Sequence, residues 1–510
     1  MTARRDVVVV GGGHNGLVCA CYLARAGLDV EVVERDTVIG GAVSTVERWP
    51  EQWPGVHVDR GSTLHVMVRH TGIIEELQLE DIGLRYIDTD PWAVSFHDGA
   101  PLRFSTDLER TWQSVDDVCG RRDADAYLQF VDSWTPRMQA ILASFHMAPS
   151  AWGLTRSFWP LGRRVRSGGG ELAREFLTSA DRVLDGSFGD ERLKTALAWW
   201  SAQAGPAPHE VGTAPMLATA VLMHLRAPGR PRGGSGALTQ ALVRRLEQLG
   251  GGVRAGDGAA SISSDSVTTR SGERIEARAV VSATHVLTTL DLLGRHDDAE
   301  RARLRVGSGL GMVLRVLTDR LPAYATTVDG MHAGMQMLAG SRDVIRRAHG
   351  EFLAGEAPAA PPLLVMTPTA TDYSLAPPDR HVVTVWTQWQ PRRLRRGSWD
   401  DIREQQTQLL IDGVDRAAPG FASSVLATHL QTPGDLEQEL DLRGANVMHL
   451  DMTLDSMFAL RPLPGWSRHR GPDGVYLCGA STHPGGGVSG ASGRTAAAVI
   501  VRDLRHRRRR

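Results

Sequence analysis

Three glycines near the amino end, Gly11, Gly13 and Gly16, stand at the spacing that presents backbone N–H groups to a phosphate. Gly11 permits a tight turn, Gly13 lets the backbone approach a pyrophosphate, and Gly16 lets a helix pack closely on the preceding strand. His14 and Asn15 lie between the last two. Glu34, after the next apolar run, can accept both hydroxyls of an adenosine ribose, with Arg35 beside it. Gly40-Gly41-Ala42 follows and would bring more backbone amides to the same diphosphate. The chemistry this set can do is to grip an adenine dinucleotide; none of its groups makes or breaks bonds. A second glycine-rich block, from Gly479 to Ala491, lies near the other end. Its Gly479, Ala480, Gly486, Gly487, Val488 and Ala491 would let a flat ring rest against backbone.

Positioning these residues takes a strand, a turn and a helix in sequence. Asp6-Val-Val-Val-Val10 is a β-branched run, as expected of a parallel strand buried on both faces. The pattern predicts a helix from about Leu17 to Arg25, closed by Gly27, and a second strand over Val30–Val33 that ends at Glu34. This β-α-β context raises the glycine spacing above a turn motif. Further strands are expected at Trp92–Phe96, Leu102–Phe104, Val267–Arg270, Ala279–Ser282 (ending at Ala283), Val382–Trp386 and Val475–Cys478. Helices are expected from Leu238 to Leu249 and from Ser492 to Leu504. A helical stretch carries Trp134, Trp152, Trp159, Trp199 and Trp200. No internal repeat is visible.

Composition bounds the rest. At about 150 residues per domain, 510 residues give roughly three domains' worth of chain, or two large ones. Apolar residues make up 42% and charged residues 23%, which is globular usage. Lysine plus arginine number 57 against 58 acids, so the charge footprint of a nucleic-acid binder is missing. No run of about 18 apolar residues occurs, which speaks against a membrane-spanning helix. The four cysteines match neither a metal nor a redox spacing, so no metal and no disulfide framework is expected, in keeping with a cytoplasmic protein. Lys194 is the only lysine, a bias we read as that of a GC-rich bacterial genome.

Together these blocks resemble the flavin-dependent phytoene desaturase branch of the amine oxidase superfamily, within it the phytoene dehydrogenase-like proteins. That branch is also called pyridine nucleotide-disulphide oxidoreductase domain-containing protein 2. The matching residues are Val9–Leu17 with Ile39–Ala42, Pro231–Leu238, Ala279–Ala283, Gly444–Asn446, Leu454-Asp455, Arg461-Pro462 and Leu477–Ala491, continuing through Gly493-Arg494 and Ala496. The resemblance implies an α/β fold in which a Rossmann-like FAD-binding domain is interleaved with an α+β substrate domain built on an antiparallel sheet. The expected division is 1–75, 230–300 and 435–505 for FAD, 76–229 and 301–434 for substrate, and a basic tail at 506–510. It also implies non-covalent FAD and dehydrogenation of a small apolar or secondary-metabolite substrate by hydride transfer to flavin N5. The N-terminus of the last helix would face the flavin's pyrimidine end. Two departures loosen the analogy. Ala42 stands where many members carry arginine, and Ala480 where many carry an acid.

Desaturation also releases a proton, and His483, His449, Asp451 and Asp455 are the candidates to take it. Asp451 and Asp455 have the spacing of one helical face. Arg461 could hold an acidic substrate group or pair with one of those aspartates. Lys194 lies in an expected surface helix, which disfavours the lysine-and-water arrangement of amine oxidases. With no second dinucleotide motif, electrons are expected to pass to oxygen, a quinone or a carrier protein. The alternatives are a redox-neutral isomerase or saturase, a C–N oxidase, and a flavin-free binding protein of the same fold. The tryptophan-rich stretch could pack a core, line a tunnel or dip into a bilayer, and the Arg505–Arg510 tail could draw the protein to anionic lipid as a peripheral contact. The oligomeric state is open.

Overall fold

The computed structural model describes residues 4–164 and 169–508. Its first strand, Arg5–Val10, lies inside a parallel array. Val30–Val33 and then Gly252–Arg254 flank it on one side, and Arg274–Ser282 and then Tyr476–Leu477 on the other. Val10 is level with both Val33 and Ser282, so the loops after these three strands leave along one edge. In open α/β sheets that edge, at the carboxyl ends of the strands, is where ligands bind.

The β-branched strands are buried on both faces. Val7, Val9, Val30, Val32, Ala279 and Val281 pack against the helices His14–Arg25, Gly236–Gln248 and Ala491–Arg508. Val8, Val10, Val33 and Val280 pack under a small antiparallel meander, Ala259–Ile262 and Ser266–Thr269. The first and last of these helices touch at Gly493, where a Cβ would come 2.3 Å from the Asn15 carbonyl oxygen. The first helix begins at His14, three residues before the expected Leu17, because extended Gly13 (φ −67°, ψ 164°) caps it.

A second sheet has seven strands, in the order Val425–Gln431, Gly311–Thr318, His381–Gln388, Leu363–Met366, Met335–Leu338, Ala93–Ser95 and Leu102–Phe104. All neighbours are antiparallel except the pair of Met335–Leu338 with Ala93–Ser95. Helices from the 108–225 region cover one face, and Trp399–Ala417 covers the other. The structure divides the tryptophan set. Trp134, Trp199 and Trp200 are core residues, whereas Trp152 and Trp159 are exposed.

The divisions drawn at 75/76 and 229/230 fall inside elements, the helix Ile73–Glu76 and the strand Gly229–Pro231. That strand pairs with Tyr86–Asp88. Among the described residues no helix is long and apolar enough to cross a membrane.

Candidate functional site

The glycine loop follows the first strand, and its three glycines are constrained differently. Gly11 has φ +106°, and a Cβ on it would lie 3.2 Å from the Ala283 carbonyl carbon. At Gly16 a Cβ would sit 2.2 Å from the Gly11 carbonyl oxygen, so the helix could not begin where it does. At Gly13 a Cβ meets nothing within 4 Å. Gly11 and Gly16 are therefore fixed by the protein's own packing, while Gly13 faces open space. Gly40 bridges to Gly13, and Gly41 lies across from it, with a Cβ position 3.8 Å from the Gly13 Cα. Ala42 is packed beside Gly61, where a Cβ would come 2.6 Å from the Ala42 carbonyl oxygen.

Glu34 is 9% exposed and held at the loop's flank. Its Oε2 accepts from the Gly12 N–H at 2.6 Å and its Oε1 from the Asp36 N–H at 2.9 Å. Arg35 turns away instead, its guanidinium donating to the Glu439 carbonyl at 3.1 Å. His14 joins the two glycine blocks. The Asn15 amide donates to His14 Nε2 at 3.0 Å, and the His14 ring bonds the Gly487 carbonyl, while burial pushes its pKa down to about 4. Asn15 Oδ1, in the first turn of the helix, is buried and has no partner among the described residues, an orphaned acceptor beside the loop.

On the other block, Gly479 has φ +92° and a Cβ position 3.0 Å from the Ala283 carbonyl oxygen. The Ala283 N–H in turn donates to Val10 at 2.8 Å. Gly486 is pressed against Met448, and Gly487 takes φ +90°. The side chains of Ala480, Val488 and Ala491 are buried. The two glycine-rich blocks thus meet at Ala283 and at the His14–Gly487 contact.

His483 lies in this loop at 2% exposure, with its Nε2–H donating to the Ser144 carbonyl at 3.0 Å. That fixes the tautomer and leaves Nδ1 as an acceptor, buried and without a partner among the described residues. Phe145 and Phe458 flank the ring at 6.0 and 5.8 Å, and burial pushes its pKa down to about 4. His449 reaches the same loop through Nδ1, 3.0 Å from Ser481 Oγ, and burial holds its pKa well below the usual imidazole range.

The remaining candidates have other tasks. Asp455 is an ion-paired acid at the surface. It pairs with Arg305 at 2.8 Å, half exposed, beside an open pocket of about 290 Å³ lined also by Arg303 and Leu460. Asp451 and Asp455 share no helix: Asp455 lies in a short 3-10 turn, Leu454–Ser456, and Asp451 in the irregular chain before it. Asp451 accepts from Asn446 at 2.9 Å, and burial raises its pKa to about 6. Arg461 pairs with no carboxylate among the described residues; it is wholly buried and bonded to backbone carbonyls. Lys194 is not on the surface. It is 8% exposed, with Nζ 2.8 Å from Glu191 and 3.6 Å from Asp185.

Two histidines had no motif to announce them. His285 caps the helix Val286–Leu292 through Nδ1, which accepts from the Leu287 N–H, and its Nε2–H donates to the His449 carbonyl at 2.9 Å. The signal available was its place two residues after the Ala279–Ala283 strand block. His65 is buried between Tyr86 Oη and Ser235 Oγ, at 2.8 and 2.7 Å, and nothing in its local sequence marks it.

Comparison with known proteins agrees with this geometry. Residues 9–76 match the NAD(P)-binding Rossmann-like domain. The chain is 31% identical to pyridine nucleotide-disulfide oxidoreductase domain-containing protein 2 of Mus musculus, over 98% of its own length and 94% of that protein's. It is 28% identical to phytoene dehydrogenase of Streptomyces griseus, over 97% and 95%. A solved putrescine oxidase matches with a TM-score of 0.59 over 98% and 99% of the two chains at 17% identity, a likeness of fold alone. Fold and site together define an oxidoreductase of the amine oxidase and phytoene desaturase superfamily, built on a dinucleotide-binding Rossmann domain. Within it, the chain belongs to the family of pyridine nucleotide-disulfide oxidoreductase domain-containing protein 2.

Proposed function

We propose that the chain is an FAD-dependent dehydrogenase that desaturates an apolar or secondary-metabolite substrate. Bound FAD, held without a covalent bond, supplies the hydride acceptor at N5. The observation that carries this reading is the open face of Gly13 beside the fixed carboxylate of Glu34. The backbone around Gly13 and Gly41 would hold the diphosphate and Glu34 the ribose, and residues 485–488 would support the ring. The orphaned acceptor Asn15 Oδ1 fits a ligand with donor groups, because buried polar atoms are rarely left unpaired.

The protein's own contribution is to exclude water and to receive a proton. Phe145 and Phe458 shield His483, whose neutral Nδ1 offers a lone pair with a fixed direction. His449 is the second acceptor. Oxygen, a quinone or a carrier protein would be the electron acceptor. Oxidation of a C–N bond is the weaker reading, because the only lysine is committed to Glu191 and Asp185.

The test is anaerobic mixing of oxidised protein with candidate polyenes and terpenoids. Bleaching of the flavin bands with a product two hydrogens lighter supports dehydrogenation. Unchanged flavin with an isomerised substrate means a redox-neutral enzyme, and a colourless purified protein sinks the flavin assignment. His483→Gln should keep its FAD and lose about a hundredfold in turnover, the scale of a lost proton acceptor. With a pKa near 4, His483 should add no step to the pH profile between about 5 and 8. Turnover within threefold of wild type would reduce His483 to packing.

A further inference from the structure

We propose that Arg315 anchors a carboxylate of the substrate, which makes that substrate an acid with an apolar body. Arg315 lies in the strand Gly311–Thr318, every residue of which is buried. Met312, Leu314 and Val316 pack toward the helix Trp399–Ala417, so Val313, Arg315 and Leu317 take the opposite face. Val313 clusters there with Leu436 and Leu442, and Leu317 with Val56 and Val58. One cation thus stands between two apolar patches, at 1% exposure. Its Nε donates to the Asp59 carbonyl at 2.9 Å, while Nη1 and Nη2 are buried and have no partner among the described residues. An arginine this deep is normally paired, and buried donors are rarely left empty.

The neighbouring acids are already engaged. Asp59 Oδ1 accepts from Thr45 Oγ at 2.7 Å and from the Ser235 N–H at 2.8 Å. Glu439 Oε2 accepts from Gln431 Nε2 at 2.9 Å and lies 3.9 Å from Arg48 Nη2. Neither carboxylate takes the Arg315 fork, and burial brings its pKa down only to about 10, so it stays a cation at neutral pH. The free end of a guanidinium presents two parallel N–H groups, a match for the two oxygens of a carboxylate. Asp59 and Glu439 lie close enough to repel the second charge of a phosphate dianion. His429 stands opposite Arg315 in the next strand, and its Nε2 is a further buried nitrogen without a partner among the described residues, as is Nε of Arg48, whose side chain is 20% exposed.

One hairpin joins this anchor to the candidate site. Asp59 pairs with Thr45 across the strands Thr45–Glu47 and His57–Asp59. The Arg60 N–H donates to the Ser44 carbonyl at 2.9 Å, and Ser44 Oγ to the Gly41 carbonyl at 2.6 Å, across from the open face of Gly13. A carboxylate on Arg315 would fix one end of the substrate and leave its apolar body for the reaction. That the carboxylate belongs to a substrate rests on the desaturase reading; the anion site itself does not.

Titration calorimetry of the purified full-length protein with octanoate, octanol and inorganic phosphate tests it. Octanoate should bind at least about tenfold more tightly than octanol, the scale of a charge-assisted hydrogen-bonded pair. Arg315→Met should erase that preference without changing octanol binding. Arg315→Lys keeps the charge but not the fork and should retain only a minor part of it. Arg48→Gln, a partly exposed change, should weaken octanoate about threefold and reads the site if Arg315→Met does not fold. Octanoate bound no tighter than octanol, or a preference undiminished in every variant that folds, overturns the proposal. Flavin absorbance per chain should stay at the wild-type level in all three variants. If it falls together with the preference, the fork serves the cofactor and the proposal fails. Phosphate that binds as tightly as octanoate would make this a site for a free anion, which also overturns it. A colourless protein that still prefers octanoate through Arg315 would sink the flavin reading and leave the anion site standing.

Discussion

Gly13→Val should give a folded protein without colour. The extended backbone at Gly13, φ −67° and ψ 164°, suits a β-branched residue, and a Cβ there meets nothing within 4 Å. Unfolding stability should therefore stay within about 0.5 kcal/mol of wild type. The valine would instead occupy the space that the diphosphate needs, and FAD affinity should fall at least a hundredfold, about 3 kcal/mol. Gly16→Ala makes the contrast. Its Cβ would lie 2.2 Å from a backbone oxygen that cannot step aside, so the apo-protein itself should lose about 2–4 kcal/mol. Flavin absorbance per chain after purification, FAD titration and urea unfolding separate the two effects. If Gly13→Val retains wild-type FAD content, the open face is not a diphosphate site and the proposed activity loses its support.

What could be read from the sequence follows from the range of the interactions. The β-branched strand, the glycine turn and Glu34 are local features, and the structure places them as one β-α-β unit. Gly13 as a helix cap lies at the limit of such reading, since the spacing locates the turn but not the residue whose backbone departs from it. His483 could be singled out as a histidine in a glycine-rich loop. Its tautomer could not, because the Ser144 carbonyl that fixes it lies 339 residues away in sequence. Asp455 drew attention through its matching block, yet Arg305, 150 residues distant, holds it in a surface ion pair. Lys194 is likewise set by its partners in the fold. Its helix has charged residues at its start, but Asp185 and Glu191 fold around the ammonium and draw it in. The tryptophans show the limit of composition. Trp134 and Trp199 have the same residue type as Trp152 and Trp159, and only packing sends one pair to the core and the other to solvent.

Arg461 is the residue whose loss should cost the fold most. It is fully buried, and its fork serves five backbone carbonyls. Nε and Nη2 donate to Ala480 at 3.1 and 2.8 Å, Nη1 to Asp451 and Ser456, and Nη2 also to Met448 at 2.6 Å and Leu450. Burial pushes its pKa down to about 9, which leaves it a cation at neutral pH. These bonds tie the segment carrying His449 to the loop carrying His483, so one side chain sets the spacing of both candidate acceptors. Arg461→Met would strand buried carbonyls at about 1–3 kcal/mol each, and a loss of at least about 4 kcal/mol is expected. Arg461→Lys keeps the charge but offers three donors on a flexible stem instead of a planar fork, so it should recover only a minor part. Loosening of the 479–487 loop should also weaken FAD binding in both variants, unlike a change at exposed Asp455. Urea unfolding and FAD titration measure the two consequences. An Arg461→Met protein within about 1 kcal/mol of wild type would mean that water replaces the guanidinium, and that the two histidine-bearing segments are held together by other contacts.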